Sequence, residues 1–297
     1  MTTAEQALRQ ALTGLPPVSL ADVTSAAALL TRVDRKYLLP ARSAGAFVAA
    51  LGAGVTALEI DGRRLFEYDS VYFDTADLDT YRAHLQRRRR RYKVRTRSYL
   101  DSGECLLEVK LKGARGVTVK QRLRYPFADR ERLTGAGLGF VREALGDAYQ
   151  ITPPALGPVL RTRYRRATLV TDDRSTRLTC DVGLVCSADD WSGAQWRGRS
   201  SWARLEGRAA AAERRPPDRL APGLRDHVLV EVKSANQSTP VDRILRGLGV
   251  RPAVMSKYCV AVAMLHPGLP ANPWHRTLRT VAGRDSRGGV ARDHRPH

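Results

Sequence analysis

The chain has 297 residues and a formal net charge of +20, from 50 Lys+Arg against 30 Asp+Glu, which points to anionic partners: nucleic acid, an anionic membrane surface or a phosphorylated small molecule. Its four cysteines, Cys105, Cys180, Cys186 and Cys259, show neither a C-x-x-C pair nor a histidine at ligand spacing, so a zinc site and a disulfide framework are unsupported and a reducing, cytoplasmic setting is expected. No apolar run approaches the ~20 residues of a spanning helix, and residues 1–30 lack the pattern of a signal peptide; a soluble chain without a transmembrane segment is expected.

In chain order, residues 4–15 and 20–30 are Ala/Leu-rich and read as two short helices interrupted by Pro16 and Pro17. They form a helical lead-in over residues 1–30. From Thr31 the periodicity changes to two, predicting strands over 31–39, 66–74, 91–100, 104–112, 117–125, 157–170, 176–186 and 227–235. Helices are expected at about 41–52, 129–146, 239–248 and 256–265. The Ala/Arg/Pro-biased stretch 203–226 reads as a flexible insertion, and the basic tail 266–297 as disordered.

The strands share an unusual pattern. In "RRYKVRTR" the cations Arg91, Lys93, Arg95 and Arg97 occupy alternate positions, so they lie on one face of a strand. In "ECLLEVKLK" an apolar set, Cys105, Leu107, Val109 and Leu111, stands opposite Glu104, Glu108, Lys110 and Lys112. Lys120, Arg122 and Arg124 oppose Val117, Val119, Leu123 and Tyr125; Arg177 and Asp181 oppose Leu178, Cys180 and Val182; Glu231 and Lys233 oppose Val228, Val230 and Val232. In "RVDRKYLL", Arg32, Asp34 and Lys36 share a face against Val33, Tyr37 and Leu39, with Arg35 as an exception. Any one such strand reads equally well as the wet face of an antiparallel sheet. Neighbouring strands of like charge repel, however, by up to ~1 kcal/mol per opposed pair. An α+β fold in which the strands close into a barrel with a cationic lumen, its apolar outside covered by helices, accounts for the whole set. Such a lumen calls for a short, highly charged anion, and triphosphate or polyphosphate fits where duplex nucleic acid is too wide.

The ordered segments "RVDRKYLL", "YDSVYFDT", "RRYKVRTR", "LLEVKLK", "VKQRL", "LRTRYRRATL", "TRLTCDVGL", "LVEVKS" and "VMSKYCVAVA", from about Thr31 to Leu265, resemble the VTC domain, a member of the CYTH-related triphosphate tunnel metalloenzymes. The resemblance implies an eight-stranded antiparallel tunnel that binds triphosphate, and a polyphosphate polymerase that moves the γ-phosphate of ATP onto a growing chain with Mn2+ or Mg2+. It places Lys36, Arg95, Arg97, Lys110, Lys120, Arg166, Arg177 and Lys257 as catalytic cations, with Lys93, Arg122, Lys233 and Ser256 as further substrate contacts. Glu231 is the implied metal ligand, with Glu108 and Asp34 as additional candidates. The tunnel superfamily begins with a Glu-x-Glu-x-Lys strand, whereas Arg32, Asp34 and Lys36 stand here. Only one acid remains, which argues against a two-metal triphosphatase.

No P-loop, G-x-S-x-G or H-E-x-x-H occurs. The alternatives to a phosphotransferase of the ATP–polyphosphate type are a tunnel triphosphatase and a non-catalytic polyphosphate sensor. A nucleic-acid partner is not expected, because the cations alternate within strands and aromatic content is only 6%. The oligomeric state is left open. Arg87 to Arg91 read either as a funnel for a polyanion or as a solvated turn. Asp74, Asp77 and Asp79 read as helix caps rather than a calcium loop. Cys105 and Cys180 read as core, and Trp191, Trp196 and Trp202 as packing or loop cover.

Overall fold

A computed structural model describes residues 2–28, 33–113, 118–188, 226–235 and 238–283. Residues 203–225 of the insertion expected at 203–226, the three tryptophans Trp191, Trp196 and Trp202, Val117, Arg32 and the tail beyond residue 283 lie outside the described residues. The strands are β1 (Pro17–Val18), β2 (Val33–Pro40), β3 (Val55–Leu58), β4 (Phe66–Asp74), β5 (Tyr92–Tyr99), β6 (Glu104–Lys112), β7 (Thr118–Arg124), β8 (Gly157–Thr171), β9 (Thr176–Ser187) and β10 (His227–Ser234). The helices are α1 (Thr3–Leu12), α2 (Leu20–Ala28), α3 (Ala44–Leu51), α4 (Asp79–Leu85), α5 (Gly135–Tyr149), α6 (Pro240–Gly247), α7 (Lys257–Leu265) and α8 (His275–Val281).

Eight strands form one antiparallel sheet in the order β2-β10-β9-β8-β4-β5-β6-β7, while β3 pairs with β8 and carries the short β1. The expected closure of the barrel is not found. Strands β2 and β7 end the sheet, with no ladder between them among the described residues. Alternation along a strand is the same in a curved open sheet and in a closed barrel, so the sequence pattern does not distinguish them. Strand β7 also has the marks of a protected edge, since Lys120, Arg122 and Arg124 discourage pairing with another strand.

Apolar residues on the outer face make two cores. One packs Leu8 and Leu12 of α1, Phe47 of α3 and Leu245 of α6 on Leu39, Leu169, Leu178, Val230 and Val232. The other packs Val141 and Leu145 of α5 on Val71, Val94, Leu107, Val109 and Leu111. The exception Arg35 is explained here: it faces outward and donates to Asp242 at 2.7 Å, which also accepts from the Tyr37 hydroxyl at 2.5 Å. Asp242 in turn forms the capping box of α6 with Thr239.

A third core lies on the inner side, where α7 crosses one end of the sheet and packs Tyr258, Cys259 and Val262 against Tyr72, Leu160, Tyr164, Leu184 and Leu229. Helix α7 is anchored by Tyr258, whose hydroxyl donates to buried Asp74. Asp74 caps α4 as expected, accepting from the amides of Thr80 at 2.9 Å and Tyr81 at 3.1 Å. The expectation of disorder from residue 266 is corrected for its described part. Residues 272–283 form a 3-10 turn and α8, which bury Trp274 and Val281 against α4 and α7. Arg276 and Arg279, the described arginines of this stretch, are exposed on the side away from the short apolar stripe.

Candidate functional site

The inner face gathers the alternating cations onto one concave surface. Cross-strand register sets them in rows: Lys93, Lys110 and Lys120 lie side by side on β5, β6 and β7, and Arg95, Glu108 and Arg122 form the next row. Glu108, with a relative exposure of 0%, is the hub. It receives Arg95 at 2.7 Å, Lys120 at 2.8 Å, Arg122 at 3.4 Å and Arg97 at 3.8 Å. Burial alone would raise its pKa, but Arg95, Arg97, Lys120 and Lys110 hold it far below the carboxylate range. A carboxylate enclosed by four cations is poorly placed to ligate a metal, so the geometry disfavours the expected metal role of Glu108 and makes it a countercharge.

The second half of the face is built by β8, β9, β10, β2 and the start of α7. Asp181 accepts two bonds from Arg166, at 2.6 and 2.8 Å, and a third from Lys257, the first residue of α7. Burial opposes ionisation of Asp181, yet Arg166 and Lys257 bring its pKa down to about 2. Glu231 pairs with Lys233 at 2.7 Å and Lys36 at 3.5 Å, and these cations outweigh its burial and hold its pKa well below normal. Arg177 stands opposite Lys233 on β9, and Asp34 opposite Lys233 on β2, exposed. Ser256, expected as a phosphate contact, caps α7 by accepting from the Cys259 amide at 3.3 Å.

Lys120 and Lys233 have carboxylate partners, whereas no ion pair to a carboxylate is found for Lys93 or Lys110 among the described residues. The charges of Arg95 and Arg97, together with burial, push the Lys110 ammonium well below the usual lysine range. For Lys120, burial outweighs Glu108 and lowers the pKa to about 8. Triphosphate affinity is therefore expected to fall as pH rises through about 8, where Lys120 loses its charge. A Lys120→Arg variant should lack that inflection in a binding titration carried from pH 6.5 to 9.5, and an unchanged inflection would assign it to another group.

Between the halves lie residues that the alternation did not single out. Tyr68, Tyr72 and Tyr164 line the floor, with Arg166 5.1 Å from the Tyr68 ring centre and Lys257 4.4 Å from that of Tyr164. Tyr164 sits at the bulge where the β8–β9 register shifts, and Gly183, in the skipped segment of β9, has a φ of 62° that only glycine adopts freely. The hydroxyls of Ser70, Thr162, Tyr164 and Thr179 and the Nε of Arg97 are buried without a hydrogen-bonding partner. Arg97, Ser70 and Thr162 are in register on β5, β4 and β8, so these donors form a belt across the floor. Native interiors rarely leave buried donors unmatched, at a cost of roughly 1–3 kcal/mol each. An acceptor-only ligand such as a phosphate chain would satisfy those it reaches from the inner face.

Among the described residues no group of three or more His, Cys, Asp or Glu could hold a metal. The donor set fits an ion carried in on phosphate oxygens and water and touched by Glu231, because magnesium-like ions commonly use one or two carboxylates plus substrate phosphates. No helix among the described residues is long and apolar enough to cross a membrane.

Solved structures with similar chain traces are distant. HpAC1 from Hippeastrum, whose structure is described as revealing a dominant triphosphatase activity, is 14% identical with a TM-score of 0.46, covering 82% of this chain and 100% of that one. The PH1012 protein of Pyrococcus horikoshii OT3 is 10% identical with a TM-score of 0.34, covering 74% and 92%. The Pct1 RNA triphosphatase of Schizosaccharomyces pombe is 9% identical with a TM-score of 0.23, covering 96% and 67%. No curated protein matches the sequence. The VTC domain model matches residues 31–266, the span that holds β2 to β10, the acids Glu108, Asp181 and Glu231 and the donor belt, and the chain belongs to the VTC domain family.

Proposed function

We propose that the chain is a polyphosphate polymerase, transferring the γ-phosphate of ATP to the end of a polyphosphate chain laid along the inner face. The observation that carries this reading is the belt of buried, unmatched donors between two cationic banks. Phosphate oxygens accept hydrogen bonds and carry charge at every unit, which matches both features at once. In the reaction a terminal oxygen of the chain attacks the γ-phosphorus, its bond to the β-phosphate oxygen breaks, and ADP leaves. The attacking oxygen is already ionised, so no side chain has to act as a base.

The protein's part is alignment and charge neutralisation. Arg95 and Arg166 are clamped by Glu108 and Asp181, which fixes two guanidinium planes before substrate arrives. Lys93 and Lys110, without carboxylates of their own, meet the most highly charged phosphate. Lys36, Lys233, Arg177 and Lys257 hold the opposite bank. A Mn2+ or Mg2+ ion held by Glu231 and phosphate oxygens would neutralise charge on the transferring group. Lys36 and Lys233 keep Glu231 ionised for it.

Purified protein incubated with ATP and Mn2+ is expected to yield a polyphosphate ladder that lengthens with time on a resolving gel. Free phosphate without a ladder would replace this reading with a tunnel triphosphatase. Neither product, with tight triphosphate binding retained, would leave a sensor.

A further inference from the structure

The loop between α4 and β5 carries the five consecutive arginines Arg87 to Arg91, and its first four are exposed. Arg91 turns back and donates to the carbonyls of Arg88 at 2.6 Å and Arg87 at 3.3 Å. Arg87 itself holds a left-handed backbone with φ of 53°, which an arginine adopts at a cost. The brace leaves the guanidinia of Arg89 and Arg90 pointing at no carboxylate among the described residues. Elsewhere arginines with acid partners are common: Arg63, Arg64, Arg132, Arg165 and Arg174 are each paired. The loop differs because residues 80–100 contain no Asp or Glu at all. Nearby His84 adds no negative charge and stays neutral, its pKa lowered to about 3 by burial, Lys93 and Arg91.

The loop is also continuous with the inner face. Lys112 donates its amide to the Arg91 carbonyl at 3.1 Å, and the Tyr149 hydroxyl ties the two residues together. Arg91 and Lys112 thus form the row that precedes Lys93, Lys110 and Lys120. Like charges concentrated in this way repel, and the sequence retains them without internal neutralisation.

We infer that this loop is an exosite for the part of a linear polyphosphate chain that extends beyond the inner face. This rests on the proposed polyphosphate activity and adds that the enzyme holds long chains more tightly than short ones. A solvated turn makes no such distinction. Triphosphate ends within the strand rows, whereas a long chain reaches Arg89 and Arg90 as well. Spaced cations that follow a flexible backbone suit a linear polyanion, and the loop carries no aromatic ring on which a nucleic-acid base would stack.

The test compares wild type with an Arg89→Gln plus Arg90→Gln variant, using triphosphate, long-chain polyphosphate and single-stranded RNA as probes over a salt series. Triphosphate affinity is expected to be unchanged within about twofold, while long-chain affinity falls about tenfold and its log–log salt slope shrinks by roughly one to two units. Equal long-chain affinity and slope in both proteins would overturn the exosite. RNA bound more tightly than polyphosphate, and weakened by the same changes, would also overturn it in favour of a nucleic-acid surface. Wild type that binds neither triphosphate nor polyphosphate would instead refute the proposed function on which the exosite depends.

Discussion

Replacing Glu108 with glutamine is expected to destabilise the ligand-free protein by about 3–5 kcal/mol, the range seen when one member of a buried charge cluster is removed. The carboxylate touches Arg95, Arg97, Lys120 and Arg122, and without it these cations face one another in a desolvated row. Triphosphate should recover much of the loss, since a ligand at a hundredfold its Kd contributes about 2.7 kcal/mol and here also replaces the missing charge. Urea unfolding with and without triphosphate measures both effects. The pH dependence has a definite sign. The Glu108 pKa lies far below its unfolded value of about 4.3, so its stabilisation is complete above that pH and is lost as pH falls toward the folded value. The glutamine variant should lack that part of the acid limb. Wild-type stability in the variant would show that Glu108 is not the countercharge of this row.

Replacing Glu231 with alanine is expected to lower phosphoryl transfer by about 10²–10³-fold, the scale of one lost transition-state contact, without loosening the ground state in the same way. Lys36 and Lys233 are released from their carboxylate, so metal-free triphosphate should bind as tightly as before or more tightly. The split between rate and affinity is the informative readout. A purely structural Glu231 predicts that both fall together, and equal losses in a binding titration and in the ladder assay would sink the proposed role. Stability should change less than for Glu108, because Glu231 lies nearer solvent and touches two cations rather than four.

The cationic face was legible because a strand's period of two is strict: Lys93, Arg95 and Arg97, or Glu231 and Lys233, need no further information to be placed on one side. Which acid meets which cation was not legible, since that depends on strand order. Glu108 is opposite Arg95 and Arg122 only because β6 lies between β5 and β7. The same ignorance of order hid the donor belt: Ser70 and Thr162 are ordinary strand residues until β4 and β8 bring them together. Closure was overread for a related reason, because curvature and edge pairing leave no mark on alternation. Arg35 broke the pattern because its partner, Asp242, comes from a helix far along the chain. In the tail, composition concealed the spacing of Trp274, Leu278 and Val281, which docks α8.

The ladder between β2 and β10 joins one of the first strands of the sheet to the last one made. Strands β4 to β7 pair mainly with their neighbours in sequence and can form while synthesis continues, whereas β2 must wait for residues 227–234. A nascent chain therefore acquires the Glu108 bank before Glu231 exists. A messenger truncated ahead of His227 encodes a fragment with the Glu108 meander and an incomplete second bank, which holds Arg166 and Asp181 but lacks Glu231, Lys233 and Lys257. The site is thus complete only once β10 and the start of α7 have been made, so the proposed transfer chemistry would have to await the last part of the domain's synthesis.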